Sequence, residues 1–157
     1  MEAKSCEKRC ASVLPGVEHI GIGAVLRDEK GIILGAVAKS VEGSFSPFLA
    51  ECIALREGLI FTKDLNLGPI VVDTDAFNVV TVVGDNCALS MEGPILEDVK
   101  QLLVQMQETN IHHIGRSVNH VAHLLARFGI NTKRTNIWIS ETPTIVSHAV
   151  SADAFTQ

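Results

Sequence analysis

The chain has 157 residues, 46% of them hydrophobic, and a formal net charge of −5 at pH 7. That length suits one compact domain with an ordinary core, no run approaches the ~20 uncharged apolar residues of a membrane helix, and the acidic balance argues against strong non-specific binding to polyanions. The start, MEAKSCEKRC, lacks the apolar core of a secretory signal, and Cys6, Cys10, Cys52 and Cys87 follow no disulfide or zinc-ribbon spacing, so free thiols in an intracellular setting, nuclear or cytoplasmic, are expected.

In chain order, GIGAVLRDEKGIILGAVAKSV reads as two strands joined by a turn at Asp28 to Gly31, because β-rich apolar runs flank a polar, glycine-containing tetrad. Ser46 followed by Pro47 is a helix start, a capping hydroxyl and then proline at the first helical position, and FLAECIALREGLIFTKDL carries the helix to about Leu65. PIVVDTD is a short buried strand, AFNVVTVV a short helix and GPILEDVKQLLVQMQ a longer one. NIHHIGRSV reads as a strand and NHVAHLLARFG as a helix closed by Gly129. Residues 131–157 have weak periodicity and are expected to form a loosely packed tail. The order suggests an α/β sheet with an antiparallel hairpin at one side and crossover helices on its faces.

Three acids stand out. Asp73 and Asp75 interrupt an apolar stretch at the carboxyl end of a strand, where sites gather in such sheets. Glu51 falls on a helical wheel among Phe48, Ala54, Leu55, Gly58 and Thr62, away from the charged side that carries Arg56, Glu57, Lys63 and Asp64. Each has an ordinary explanation: Asp75 as the cap of the next helix, Asp73 as a strand end, Glu51 in a salt bridge. Taken together, Glu51 and Asp75 converge on one strand end and make an oxygen-rich site suited to Mg²⁺.

GIGAVLRDEKG, LAECIALREGL, IVVDTDAFNVV, GPILEDVKQLL and HHIGRSVNHVAHLLARFG, in that order, resemble the plant ribonuclease H-like domain of the reverse-transcriptase-associated type, from about Cys10 to Phe128. The resemblance implies a ribonuclease H-like fold: an α/β domain over residues 1–130 with a five-stranded mixed sheet flanked by helices, the first three strands antiparallel and the last two parallel to the first. It also implies four carboxylates that hold two Mg²⁺ ions and cleave the RNA strand of an RNA–DNA hybrid. The helix acid falls on Glu51 and the acid after the fourth strand on Asp75, with Asp73 its non-ligating neighbour. Cys10 stands where the first Asp belongs and His123 where the fourth acid belongs, so Mg²⁺ is expected to bind weakly, with Mn²⁺ as an alternative.

The segment before Cys10 departs further. Alternation puts Lys4, Cys6, Lys8 and Cys10 on one face and Ser5, Glu7 and Arg9 on the other, and neither suits a central strand, so residues 1–10 are expected to be an atypical first strand, short, frayed or disordered. Asn119, His120, His123 and Arg127 form a polar stripe opposite Val118, Ala122, Leu125 and Ala126, ordinarily a solvated face; zinc on His120 and His123 with His112 or His113 is the alternative. Arg116, Asn119 and Arg127, with Lys133 and Arg134, are candidate nucleic-acid contacts. The function implied is Mg²⁺-dependent endonucleolytic cleavage of RNA–DNA hybrids by Glu51, Asp75 and His123, weakened by the lost carboxylates. The alternative is an inactive nucleic-acid-binding or protein-interaction module on the same fold. The partner implied is nucleic acid, no membrane is expected, and a monomer is assumed.

Overall fold

The computed structural model describes residues 5–13 as backbone and 18–67, 69–84, 93–107 and 109–154 more fully, with side chains up to 152. Residues 1–4 of the atypical start, the side chains of Cys6 and Cys10, and Cys87 lie outside the described residues.

Six strands form one sheet in the order β5-β4-β1-β2-β3-β6. They are β1 (Ser5–Val13), β2 (His19–Arg27), β3 (Ile33–Glu42), β4 (Ile70–Thr74), β5 (Asn110–His113) and β6 (Asn136–Ile139). The first three are antiparallel neighbours, while β4 runs parallel to β1 and β5 parallel to β4, as expected. The helices are α1 (Pro47–Asp64), α2 (Phe77–Gly84), α3 (Gly93–Gln105), α4 (His120–Thr132) and α5 (Ser147–Ala154). Among the described residues no helix is long and apolar enough to cross a membrane.

Period-2 alternation sorts the core onto the two faces of the sheet. Leu26, Ile70 and Val72 meet Leu55 and Leu59 of α1, Val79 of α2 and Leu96 and Val99 of α3. Val25, Ala36 and Ala38 meet Val121 and Leu125 of α4 on the other side. The sequence GIG in β2 sets how closely α4 approaches: a Cβ on Gly21 would lie 2.0 Å from the Ala126 carbonyl oxygen, and one on Gly23 2.1 Å from that of Ala122. Only glycine lets the helix backbone rest on the strand in this way. Ser46 caps α1 as its sequence implies, its hydroxyl accepting from Leu49 N–H at 3.1 Å.

Four expectations are corrected. First, β1 is a nine-residue strand paired on both sides, with Cys10 opposite Gly23 and Arg9 beside Thr74. Ladders on both edges, rather than apolar content, sustain it. Second, the sheet has six strands rather than five. Third, Gly129 does not close α4, which runs on to Thr132 and ends on Lys133 in the left-handed region (φ 51°), its N–H donating to the Gly129 carbonyl. Gly129 is there for contact: a Cβ would sit 2.5 Å from the Lys39 carbonyl oxygen. Fourth, residues 131–157 contribute β6 and α5 in place of a loose tail. Val146 is fully buried in the α4 core, and the Trp138 ring packs on Phe128 with centroids 5.9 Å apart. These apolar contacts order a segment whose own periodicity is weak.

Candidate active site

The site lies at the carboxyl end of β4. There the strand stops at Thr74, whose hydroxyl accepts from Ala76 N–H at 3.2 Å and starts the turn into α2. Because Thr74 does that work, Asp75 is not engaged as the helix cap. Its Oδ1 accepts instead from Asn119 Nδ2 at 2.7 Å, across a separation of 44 residues. Asn119 ends the short 3-10 turn Arg116–Asn119 that leads into α4, and it is only 1% exposed. It therefore acts as a buried partner of a carboxylate, a correction to its expected place among solvent-facing nucleic-acid contacts.

Glu51 enters from α1, half-buried beside the core residues Ala50 and Cys52. Its carboxyl is held above the usual range, first by burial and then by the negative charge of Asp75, with the Arg116 guanidinium acting against both. The two carboxylates thus share one electrostatic neighbourhood, and the charged form of Glu51 is disfavoured because no full counter-charge offsets the repulsion. His123, on the first turns of α4, is held below the ordinary histidine value by burial, then by Arg116 and Arg127, with Asp75 opposing and His120 adding to the depression. The neutral imidazole is favoured over the charged one, and neutral histidine is the form that ligates metals.

Arg116 and Arg127 are both exposed and flank His123 in this field. Val118, placed by the wheel opposite the polar stripe, is 50% exposed because it belongs to the 3-10 turn rather than to α4. Asp73 lies one pleat back from Asp75, with an oxygen 4.0 Å from His112 Nδ1 on the paired position of β5. His113 stands edge-on to the Phe77 ring, centroids 5.4 Å apart. Among the described residues no three His, Cys, Asp or Glu side chains are gathered closely enough to hold a metal ion. Cys10 enters by backbone register: Arg9 and Thr74 are the last paired level of β1 and β4, so the next residues along these parallel strands are Cys10 and Asp75.

A divalent cation fits this donor set only in part. Glu51 and Asp75 would offer two oxygen donors whose repulsion a cation would relieve, and His123 would offer a nitrogen. Two carboxylates form a weaker cage than the oxygen-rich sites that bind such ions tightly.

The strand order β3-β2-β1-β4-β5, with helices on both faces, is the fold of ribonuclease H domains. The chain belongs to the Reverse transcriptase-like family, whose profile matches residues 15–129 and so begins after β1. The chain is similar in fold to the N-terminal RNase H domain of Rv2228c from Mycobacterium tuberculosis, solved as a maltose-binding-protein fusion. Identity is 18% and the TM-score 0.74, over 84% of this chain and 96% of that one. RNase H1 from the halophilic archaeon Halobacterium salinarum is 19% identical, with a TM-score of 0.69 over 84% and 99%. LC11-RNase H1, solved in complex with an RNA/DNA hybrid, is 18% identical, with a TM-score of 0.67 over 82% and 98%. Likeness at these identities establishes the fold. Comparison with curated proteins finds no match.

Proposed function

We propose that the chain is a ribonuclease H-like endonuclease that cleaves the RNA strand of RNA–DNA hybrids with a weakly held Mg²⁺, for which Mn²⁺ is the better substitute. The observation that carries this reading is the placement of half-buried Glu51 of α1 beside Asp75 at the end of β4, near enough for their charges to repel. Two half-buried acids that repel each other are a costly arrangement, and a divalent cation turns the cost into affinity. Glu51 and Asp75 would hold the ion, with His123 drawn in on binding and Cys10 level with Asp75 in the place of a further ligand. When bound, the ion supplies charge that activates water and stabilises the leaving oxygen. Asn119 fixes the orientation of Asp75, and the exposed guanidiniums of Arg116 and Arg127 offer charge to a phosphate backbone beside the acids. The hybrid complex of LC11-RNase H1 supports the substrate class. The buried Cys52, which forms no disulfide, fits a reducing compartment, nuclear or cytoplasmic.

Single-turnover cleavage of an end-labelled RNA–DNA hybrid tests the reading. Cleavage stimulated by Mn²⁺ more than by Mg²⁺, and reduced at least about a hundredfold by Asp75→Asn, is expected. A second reading, a nucleic-acid-binding or protein-interaction module without turnover, is favoured by the soft thiol at position 10 and by the absence of a three-ligand cluster among the described residues. Hybrid that is bound in a gel-shift but never cut selects the second reading. A chain that neither binds nor cuts the hybrid contradicts the first.

A further inference from the structure

We propose that the chain self-associates through β6, two copies pairing these strands antiparallel across a two-fold axis so that their sheets run on into each other. β6 is the terminal strand of the sheet, and among the described residues no strand lies beyond it. It falls outside residues 15–129, the stretch matched by the family.

The register determines which backbone groups are free. Gly35 faces Ile139 and Val37 faces Ile137, while Ser140 N–H donates to the Leu34 carbonyl at 3.0 Å. In an antiparallel pair the bonded residues alternate, so Asn136, Trp138 and Ser140 bond β3, and the N–H and C=O of Ile137 and Ile139 point to the open edge. Pairing Ile137 of one copy with Ile139 of the other, and the reverse, joins these groups in four backbone hydrogen bonds about an axis at Trp138.

The side chains suit the same arrangement. Ile137 and Ile139 are 55% and 60% exposed, an unusual state for two isoleucines on one face of a strand. In the paired register each meets an isoleucine of the other copy, the type of cross-strand contact that stabilises sheets. Trp138 points to the opposite face and is packed on Phe128, which anchors the strand. Edge strands are ordinarily blunted by shortness, an internal Lys, a Pro or a bulge; Asn136–Ile139 is short, four residues, but carries no Lys, Pro or bulge. Charge lies just outside instead. The exposed Lys133 and Arg134 precede the strand and the exposed Glu141 follows it, so antiparallel pairing brings the basic end of each copy beside the acidic end of the other. This complementarity selects a second copy of the chain as the occupant.

Sedimentation of the chain from about 5 to 500 µM tests the proposal, a range suited to an interface smaller than the standard size. A monomer–dimer equilibrium is expected, with the dissociation constant raised at least about tenfold by Ile139→Lys, because two lysines would then flank the axis. Glu141→Lys, outside the strand and without a core contact, is expected to weaken the dimer, and adding Lys133→Glu and Arg134→Glu to restore it. Wild-type chain that stays monomeric throughout overturns the proposal. So does a dimer that is indifferent to Ile139→Lys and to the charge exchange, since it must then form elsewhere.

Discussion

Asn119 donates its side-chain amide to the carboxylate of Asp75 at 2.7 Å, tying the start of α4 to the end of β4 from opposite sides of the chain's crossover. A hydrogen bond to an ionised acceptor contributes about 1.5–3 kcal/mol, and the bond also removes one rotational freedom from the group proposed to hold a cation. Asn119→Ala is expected to lower the melting temperature by roughly 3–8 °C. It is also expected to weaken cation binding, because Asp75 then turns freely. Asn119→Asp places a third negative charge beside Asp75 and Glu51 and is expected to be the less stable of the two without cation, and to recover when Mn²⁺ is added. Thermal melts with and without Mn²⁺ measure both effects.

Glu51 gives a pH dependence with a definite sign. Its folded-state carboxyl lies above the usual glutamate range, from burial first and Asp75 second, so the folded chain takes up its proton more readily than the unfolded chain. The corresponding stability is full below the ordinary glutamate value and is lost as pH rises through the raised one. At pH 7 the ionised group therefore costs stability, and Glu51→Gln is expected to raise the melting temperature by about 1–3 °C there. Melts of both proteins between about pH 4 and 7 should show the difference shrinking towards the acid end. A gap that widens on acidification would mean that Glu51 is stabilised as an anion.

The glycines of β2 separate contact from conformation. Gly23→Ala drives a Cβ to 2.1 Å from the Ala122 carbonyl oxygen, so α4 must lift, and a loss of about 2–3 kcal/mol is expected. Gly31→Ala, in the turn at φ +79° with nothing within 4 Å of its new Cβ, is expected to cost only about 1–2 kcal/mol of backbone strain. Urea titrations of the two variants give the order directly.

Much of this architecture could be read from residue patterns, and the failures have physical causes. Ser46 and Pro47 announce α1 because capping and proline geometry are local. Glu51 and Asp75 were legible because a carboxylate on the apolar side of a helix, or at the end of a buried strand, contradicts its surroundings. The partnership of Asp75 with Asn119 was not, since nothing in either local sequence encodes a contact 44 residues away. Gly129 misled because glycine serves both helix ends and close packing, and only the neighbouring Lys39 carbonyl decides which. β6 and α5 escaped because four residues of NIWI and the weakly amphipathic SHAVSADA gain their order from Phe128 and the α4 core. β1 escaped because its ladders on both sides outweigh its composition.

Cys10 lies one step past the Arg9–Thr74 pair, level with Asp75, where a carboxylate would complete the acidic end of the sheet. Cys10→Asp is expected to raise hybrid cleavage at least about tenfold, a gain of roughly 1.4 kcal/mol in the transition state. Asp75→Asn in that background is expected to remove the gain. Rates of product formation under single-turnover conditions report both; equal rates for wild type and Cys10→Asp, in folded protein, would place the end of β1 outside the site.

The convergence of Glu51 and Asp75 on one divalent cation is tested most directly by calorimetric titration of Mn²⁺ and Mg²⁺ into the wild-type chain, Glu51→Gln and Asp75→Asn. Weak binding is expected, tighter for Mn²⁺, which accepts the His123 nitrogen more readily, and it should be lost in each variant. Binding that persists unchanged in both variants would contradict the account, since the ion would then rest on other residues.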